Sequence, residues 1–216
     1  MEIKIKFFLF LVISFILFYR KYNIPILNQN FYDYKKLYPF LETLKENRQL
    51  ILDEVEHLEN FVDYPERDLY IPKTWTIFPY FGFGVTIDNN IRQSPKIYNL
   101  IKSIPGVKTA LLSRMVPNSK LNPHQGWAFF SNKILRVHYV IKANKESYMI
   151  VNNERKKQND NDIIIFDDAK MHYAENNGDT DKLVLILDFK RPFYVKKGQS
   201  KFTDFGEIQD FLSNIN

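Results

Sequence analysis

Hydrophobic residues recur along this chain in two rhythms, and the change between them divides it. From Pro39, the residues Leu41, Leu44, Ile51, Leu52, Val55 and Leu58 return at three- and four-residue steps with Glu and Lys between them. That spacing predicts an amphipathic helix opened by the proline. "IRQSPKIYNLIKSIPG" predicts a second helix, with Ser94 as its cap and Pro95 in its first turn. After Pro65 the texture becomes β-rich. Val107–Val116, Ile134–Lys142, Tyr148–Val151, Ile163–Asp167 and Lys182–Phe189 read as strands, with turn chemistry at Asn152-Asn153 and Asn176-Asn177-Gly178. A last short helix is expected between Thr203 and Ile215. Many short strands following helices predict an α+β chain, mainly β, that ends in a sandwich or jelly roll.

The N-terminus follows neither rhythm. "MEIKIKFFLFLVISFILFYRKY" is apolar from Phe7 to Tyr19 apart from Ser14, with Lys4 and Lys6 before the run and Arg20 and Lys21 after it. The run is shorter than the ~20 residues of a comfortable spanning helix, but flanking lysines and Tyr19 can snorkel to the interface. No small-residue cleavage site follows. Residues 1–21 are therefore expected to form an uncleaved signal anchor, making the protein a single-pass membrane protein, of the endoplasmic-reticulum type or otherwise. Positive charge on both sides leaves its orientation open. A linker is expected over 22–36, the main domain over 37–195 and a tail over 196–216.

Composition narrows the chemistry. The chain has 216 residues, enough for one domain with a proper core, and 45% of them are hydrophobic. Its net charge of +5 comes from scattered lysines, with no basic run beside a stacking platform, so no nucleic-acid partner is expected. There is no cysteine, which excludes disulfides, thiolate metal sites and cysteine nucleophiles. Any metal must be held by histidine and oxygen.

Of the four histidines, His57 lies on the first helix among acidic residues and reads as a solvated surface group. His124 sits in the turn "NPHQGWAFF", and His172 follows "IIIFDDAKM". Two histidines on separate strands or loops can share one metal through neutral imidazole nitrogens. Such a pair in a β domain is, however, more often structural. The carboxylate expected two residues after His124 is missing, since Gly126 stands there. In "ILRVHYVIK" strand alternation places Arg136 and His138 on one face with Val140. A buried cation there costs several kcal/mol unless an anion meets it; a solvent-exposed face is the plain alternative. "KLVLILDF" similarly places Lys182 with Val184, Ile186 and Asp188. Two cations in one barrel would suit a dicarboxylate, although Lys182 reads equally well as a strand-end surface lysine.

Taken in order, "LLSRMVPNSKLNPHQG", "LRVHYVI", "IIIFDDAKMHYAENN" and "KLVLILDFKRP" resemble the aspartyl/asparaginyl β-hydroxylase family, and "LYPFLETLKENRQLI" resembles its lead-in helix. The resemblance covers Leu37 to Pro192 and implies an Fe(II)- and 2-oxoglutarate-dependent dioxygenase on a double-stranded β-helix. It implies His124 and His172 as iron ligands, with water in place of the missing carboxylate. Arg136 and His138 would meet the keto-acid end of 2-oxoglutarate, with Arg136 also catalytic. Ser113 and Met115 would line the distal-carboxylate pocket, together with Trp75. Lys182 stands where the family has an arginine, which keeps the charge and loses the bidentate fork. In "HYAE", Tyr173 and Glu175 replace the family's acidic and bulky residues.

The substrate expected from this resemblance is an Asp or Asn side chain of a protein. The alternatives are the acyl chain of a membrane lipid, or a β-helix binding or scaffold protein with a vestigial site. A cupin isomerase is disfavoured, because cupin sites use more ligands than two histidines.

Overall fold

The computed structural model describes residues 25–204 and 206–214, together with positions 6, 10, 12 and 14. The expected anchor therefore lies outside the described residues apart from those four positions; among the described residues no helix is long and apolar enough to cross a membrane. The chain divides into two compact units. One comprises residues 29–191 and 197–216, the other 1–28 and 192–196. In the smaller unit, the Lys196 amide donates to the Leu27 carbonyl and the Leu27 amide to that of Tyr194, both at 2.8 Å.

The larger unit is built on two antiparallel sheets. The major sheet contains β1 (Phe31–Tyr32), β2 (Val62–Asp63), β3 (Trp75–Gly82), β4 (Val85–Thr86), β5 (Val107–Met115), β7 (Ile134–Lys142), β10 (Ile163–Phe166) and β12 (Lys182–Lys190). They run in the order β1-β10-β7-β12-β5-β3-β2, with β4 paired to β3. The minor sheet orders β6 (Ser119–Lys120), β11 (His172–Asn176), β8 (Ser147–Val151) and β9 (Glu154–Lys157) as β6-β11-β8-β9. Side chains from both sheets close one apolar core, in which Trp75, Met115 and Phe166 of the major sheet meet Met149, Val151 and Ala174 of the minor one. This is the expected jelly-roll arrangement.

The first predicted helix is realised as a 3-10 turn at Pro39–Leu41 followed by α2 (Glu42–Glu46) and α3 (Arg48–Val55), after a short α1 (Tyr34–Leu37). Its periodic residues Leu41, Leu44, Ile51, Val55 and Leu58 are all buried. The break falls at Asn47, whose side-chain amide turns back to the Thr43 carbonyl at 2.8 Å. After α4 (Asp88–Gln93), α5 (Pro95–Ser103) begins at the predicted proline, but Ser94 does not cap it. The Glu54 carboxylate of α3 does so instead, accepting from the Lys96 and Ile97 amides and from the Ser94 hydroxyl. A negative charge at a helix N-terminus is favourable, so the cap also ties α3 to α5.

Two domain boundaries move. Phe31 and Tyr32, expected in the linker, pair with Phe166 and Ile165 at the sheet edge and start the compact unit at Gln29. The tail returns to the same unit, where α7 (Gly206–Asn214) follows α6 (Ala128–Ser131) in helix order.

Candidate metal and dicarboxylate site

His124 and His172 are held together by their backbones. Each amide donates to the other's carbonyl, at 3.0 and 2.8 Å, forming an isolated antiparallel bridge off the end of β11. The imidazole centroids are 4.3 Å apart. Nδ1 of His124 lies 2.8 Å from the Asn122 carbonyl oxygen, and Nδ1 of His172 lies 2.8 Å from that of Lys170. A carbonyl only accepts, so both Nδ1 atoms carry the proton and both Nε2 atoms keep a lone pair. Burial, with His172 adding to it, pushes His124 down to about 3, and burial pushes His172 down to about 4. Both rings are thus neutral at physiological pH. Two such nitrogens form a ready pair of ligands for a borderline divalent cation, and this donor set fits Fe(II).

The missing carboxylate has a structural counterpart. A Cβ on Gly126 would overlap the Asp168 carboxylate and approach the Ser131 Cβ at 2.9 Å. Asp168 thus fills the space a side chain at position 126 would need. Its Oδ1 lies 3.5 Å from His172 Nε2 and 2.6 Å from Arg136 Nη1, in an ion pair without a well-aligned hydrogen bond. Burial pushes the Asp168 carboxyl up to about 6, a rise that Arg136 limits. Among the described residues no third His, Asp or Glu joins the histidines in a ready-made three-ligand set.

Arg136 is more committed than the sequence reading had it. Its Nε and Nη2 donate to Asp188 at 2.8 and 3.0 Å, and Thr109 donates its hydroxyl to the same carboxylate. With Asp168 on Nη1, two carboxylates answer the guanidinium charge before any anion arrives. The arrangement makes Arg136 a holder of carboxylates beside the histidines.

Lys182 is the opposite case. It is 2% exposed, and its ammonium donates to the Gln158 side-chain oxygen at 3.0 Å and the Glu175 carbonyl at 3.1 Å. Among the described residues no carboxylate forms an ion pair with it. Burial pushes it down to about 7. The plain reading of Lys182 as a surface group therefore fails: it is a buried cation facing a cavity. Trp75 donates its indole N–H to Ser113 Oγ at 2.9 Å, which leaves the serine hydroxyl proton free to donate onward. His138 is buried edge-on against Phe166, its Nδ1 lies 3.5 Å from the Gln158 amide nitrogen, and burial drives it well below its ordinary value.

These groups converge on one cavity of about 440 Å³ between the sheets. It is lined by the eight residues that the resemblance assigns to the site: Trp75, Ser113, Met115, His124, Arg136, His138, His172 and Lys182. An uncompensated ammonium and a free hydroxyl at one end, with two imidazole lone pairs at the other, fit a dicarboxylate that also chelates the metal.

Register explains a second cavity. Met115, Ser113, Leu111 and Thr109 of β5 share a face with Lys182, Val184, Ile186 and Asp188 of β12. The same inner face thus runs past the histidines into an apolar cavity of about 570 Å³, walled by Ile77, Phe81, Leu111 and, from α7, Ile208 and Phe211. Arg136 lines both cavities and divides them.

The sequence places Asp188 on the face of Lys182 without giving it a partner, and gives no role to Asp168, Gln158 or this apolar cavity. Asp168 was visible in Phe-Asp-Asp, but nothing local assigns it a partner. Gln158, in the polar run "RKKQND", has no sequence signal of burial.

Residues 44–192 match the family model described as Aspartyl/Asparaginyl beta-hydroxylase. An ornithine lipid ester-linked acyl 2-hydroxylase from Rhizobium tropici is 32% identical over 134 residues, 61% of this chain and 46% of that protein. The chain thus spans about half the length of this curated relative. A 2OG-Fe(II) oxygenase family oxidoreductase from Burkholderia pseudomallei aligns over 74% of this chain and 82% of its own, at 12% identity and a TM-score of 0.50. At that identity the likeness shows a shared fold.

Proposed function

Because the chain belongs to the aspartyl/asparaginyl beta-hydroxylase family, we propose that it is a hydroxylase acting on the acyl chain of a lipid. Fe(II), 2-oxoglutarate and O2 are its cofactor and co-substrates; together they supply the oxidant that inserts one oxygen atom into a C–H bond, while 2-oxoglutarate is converted to succinate and CO2. His124 and His172 would hold the iron through Nε2. Lys182 and the Ser113 hydroxyl would bind the distal carboxylate, with Met115 and Trp75 walling that pocket and His138 beside it. Arg136 keeps Asp168 and Asp188 in place at the boundary between co-substrate and substrate.

One observation carries the substrate class: the apolar cavity lies on the same sheet face as the metal cavity and shares Arg136 with it. The charged groups in its lining are already committed, since Arg136 and Thr109 both donate to Asp188; apart from Tyr64 and Trp127 the rest of the wall is apolar. Burying apolar surface is favourable at about 25 cal/mol per Å², so an alkyl chain gains where an Asp or Asn side chain would lose its hydration. The apolar run from Phe7 to Tyr19 supports the same reading, since a membrane-anchored enzyme would work where acyl chains reside.

The test is mass spectrometry on iron-loaded protein with 2-oxoglutarate, offered acyl lipids beside peptides containing Asp or Asn. Gain of one oxygen in an acyl chain is expected. Oxygen gained only in the peptides would assign the protein substrate instead, and succinate formed without either product would remove the proposal.

A further inference from the structure

The metal cavity is lined by side chains that its own chemistry can damage. Trp75, Met115 and Met149 all face the space in which iron, 2-oxoglutarate and O2 supply an oxidant. When no substrate intercepts that oxidant, these groups are the reductants at hand. Trp75 has a tyrosine stacked on it. Strands β2 and β3 pair Val62 with Ile77 and Asp63 with Thr76, which brings Tyr64 opposite Trp75, its amide 3.4 Å from the Trp75 carbonyl oxygen. The two rings lie with centroids 4.0 Å apart and planes 21° from parallel. Because β2 ends the sheet, Tyr64 sits at its margin and is half-buried, whereas Trp75 is buried. The pair thus leads from the metal cavity, lined by Trp75, to the apolar one, lined by Tyr64.

Proton contacts favour Tyr64 as the outer member. A phenol gives up an electron readily only when a base takes its proton. Tyr70 also touches Trp75, edge-on at 5.5 Å, but its hydroxyl donates to the Tyr64 carbonyl, which takes no proton. Of the charged groups around the Tyr64 phenol, the Glu66 carboxylate acts on it most strongly. Burial raises Glu66 to about 7, which makes it a better base than an ordinary carboxylate. The Trp75 indole donates to the Ser113 hydroxyl, too weak a base to remove its proton. Oxidised Trp75 therefore stays a cation and keeps its pull on the tyrosine electron.

From this juxtaposition we infer that Trp75, Tyr64 and Glu66 form a protective relay, which removes oxidising equivalents from the metal cavity when no substrate is bound. The inference rests on the oxygenase chemistry above and is independent of the substrate. Trp75 gives one electron to the oxidant. Tyr64 replaces that electron and passes its phenolic proton to Glu66. A soluble thiol then returns an electron to Tyr64, and Glu66 returns the proton. Two passes consume two thiols, which leave as a disulfide, while two electrons and two protons take the oxygen to water.

Pulse radiolysis of the full-length, metal-free protein tests the relay without turnover. Azide radicals oxidise indoles in preference to phenols, and Trp127→Phe leaves Trp75 as the one tryptophan of the chain. Absorption of the indole radical is expected to give way to that of a phenoxyl radical. Tyr64→Phe, which keeps the ring stack, and Glu66→Gln should each slow this conversion at least about tenfold, while Tyr70→Phe leaves it unchanged. A rate unmoved by Tyr64→Phe would overturn the relay and reduce the stack to core packing. Radiolysis needs no iron, so that outcome leaves the oxygenase reading standing. A second measurement uses the iron-loaded protein with 2-oxoglutarate and O2 but no substrate. Electron paramagnetic resonance of freeze-quenched samples should show a phenoxyl radical, and Tyr64→Phe should replace it with sulfoxide at Met115 or Met149, read by mass spectrometry. The same residue oxidation with and without Tyr64 would overturn the protective role.

Discussion

Gly126 and Asp168 compete for one volume: the Asp168 carboxylate occupies the space that a Cβ on Gly126 would need. The chain therefore places a carboxylate beside the histidines from the loop before β11, not from the residue two positions after His124. Gly126→Ala should displace Asp168 from Arg136 and cost about 1–3 kcal/mol, as overpacking usually does. Gly126→Ala combined with Asp168→Ala should cost less than the two single changes added together, because removing the carboxylate makes room for the methyl group. Thermal or denaturant unfolding of the four proteins checks this; strict additivity would mean that the overlap is relieved elsewhere.

Lys182 should affect stability and binding in opposite directions. Lys182→Met removes a buried cation that has no counter-charge, so the protein without co-substrate should gain about 1–3 kcal/mol. The same change should raise the KM for 2-oxoglutarate at least about tenfold, since the distal carboxylate loses its ammonium. Gln158→Leu, which removes the side chain that fixes Lys182, should raise the same KM by less and leave kcat nearly unchanged.

Lys182 also sets a pH dependence. Burial lowers it from 10.5 to about 7, so above that pH the folded protein without co-substrate progressively loses the ammonium. Affinity for 2-oxoglutarate should therefore fall as pH rises from about 7 to about 9, approaching tenfold per unit. The bound dianion favours the ammonium, so the fall begins near 7 and levels off only above the higher pKa of the complex. The contribution to stability has the other sign: between about 7 and 10.5 the unfolded chain binds more protons at this position, so stability rises with pH across that window. Titrating KM and melting temperature together checks both; a flat KM would place the distal carboxylate elsewhere.

Filling the apolar cavity should separate substrate oxidation from co-substrate consumption. Leu111 faces the cavity from β5, on the same strand face as Ser113 and away from the histidines. Leu111→Trp should reduce acyl hydroxylation at least about tenfold, while slow substrate-free succinate formation continues. Parallel loss of both activities would mean that this cavity is not the acyl-chain site.

How much of this was legible in the sequence depends on where each signal lives. Strand β7 is legible from Ile134 to Lys142 because "ILRVHYVIK" is a nearly continuous apolar, β-branched run, and the strand is buried almost throughout. The solvent-exposed β9, "ERKK", was missed because no buried face marks it; it is a strand only through pairing with β8. The eight residues expected at a site line one cavity, and they could be grouped in advance because strand alternation and motif order are local properties. Their partners could not. Asp188 binds Arg136 across a register of β7 and β12 that only the fold defines, and Gln158 is wholly buried inside a run that reads as a polar loop. The apolar cavity arises where α7 meets β3 and β5, a contact no local pattern announces.

The most direct test of the account is a single turnover under isotopically heavy O2, with iron-loaded protein, 2-oxoglutarate and an acyl lipid, followed by mass spectrometry of the lipid and the succinate. The account predicts one heavy oxygen in the acyl chain and one in succinate, and loss of both with His124→Ala or His172→Ala. Succinate that gains heavy oxygen while the lipid gains none, or lipid oxidation that survives loss of either histidine, would contradict it.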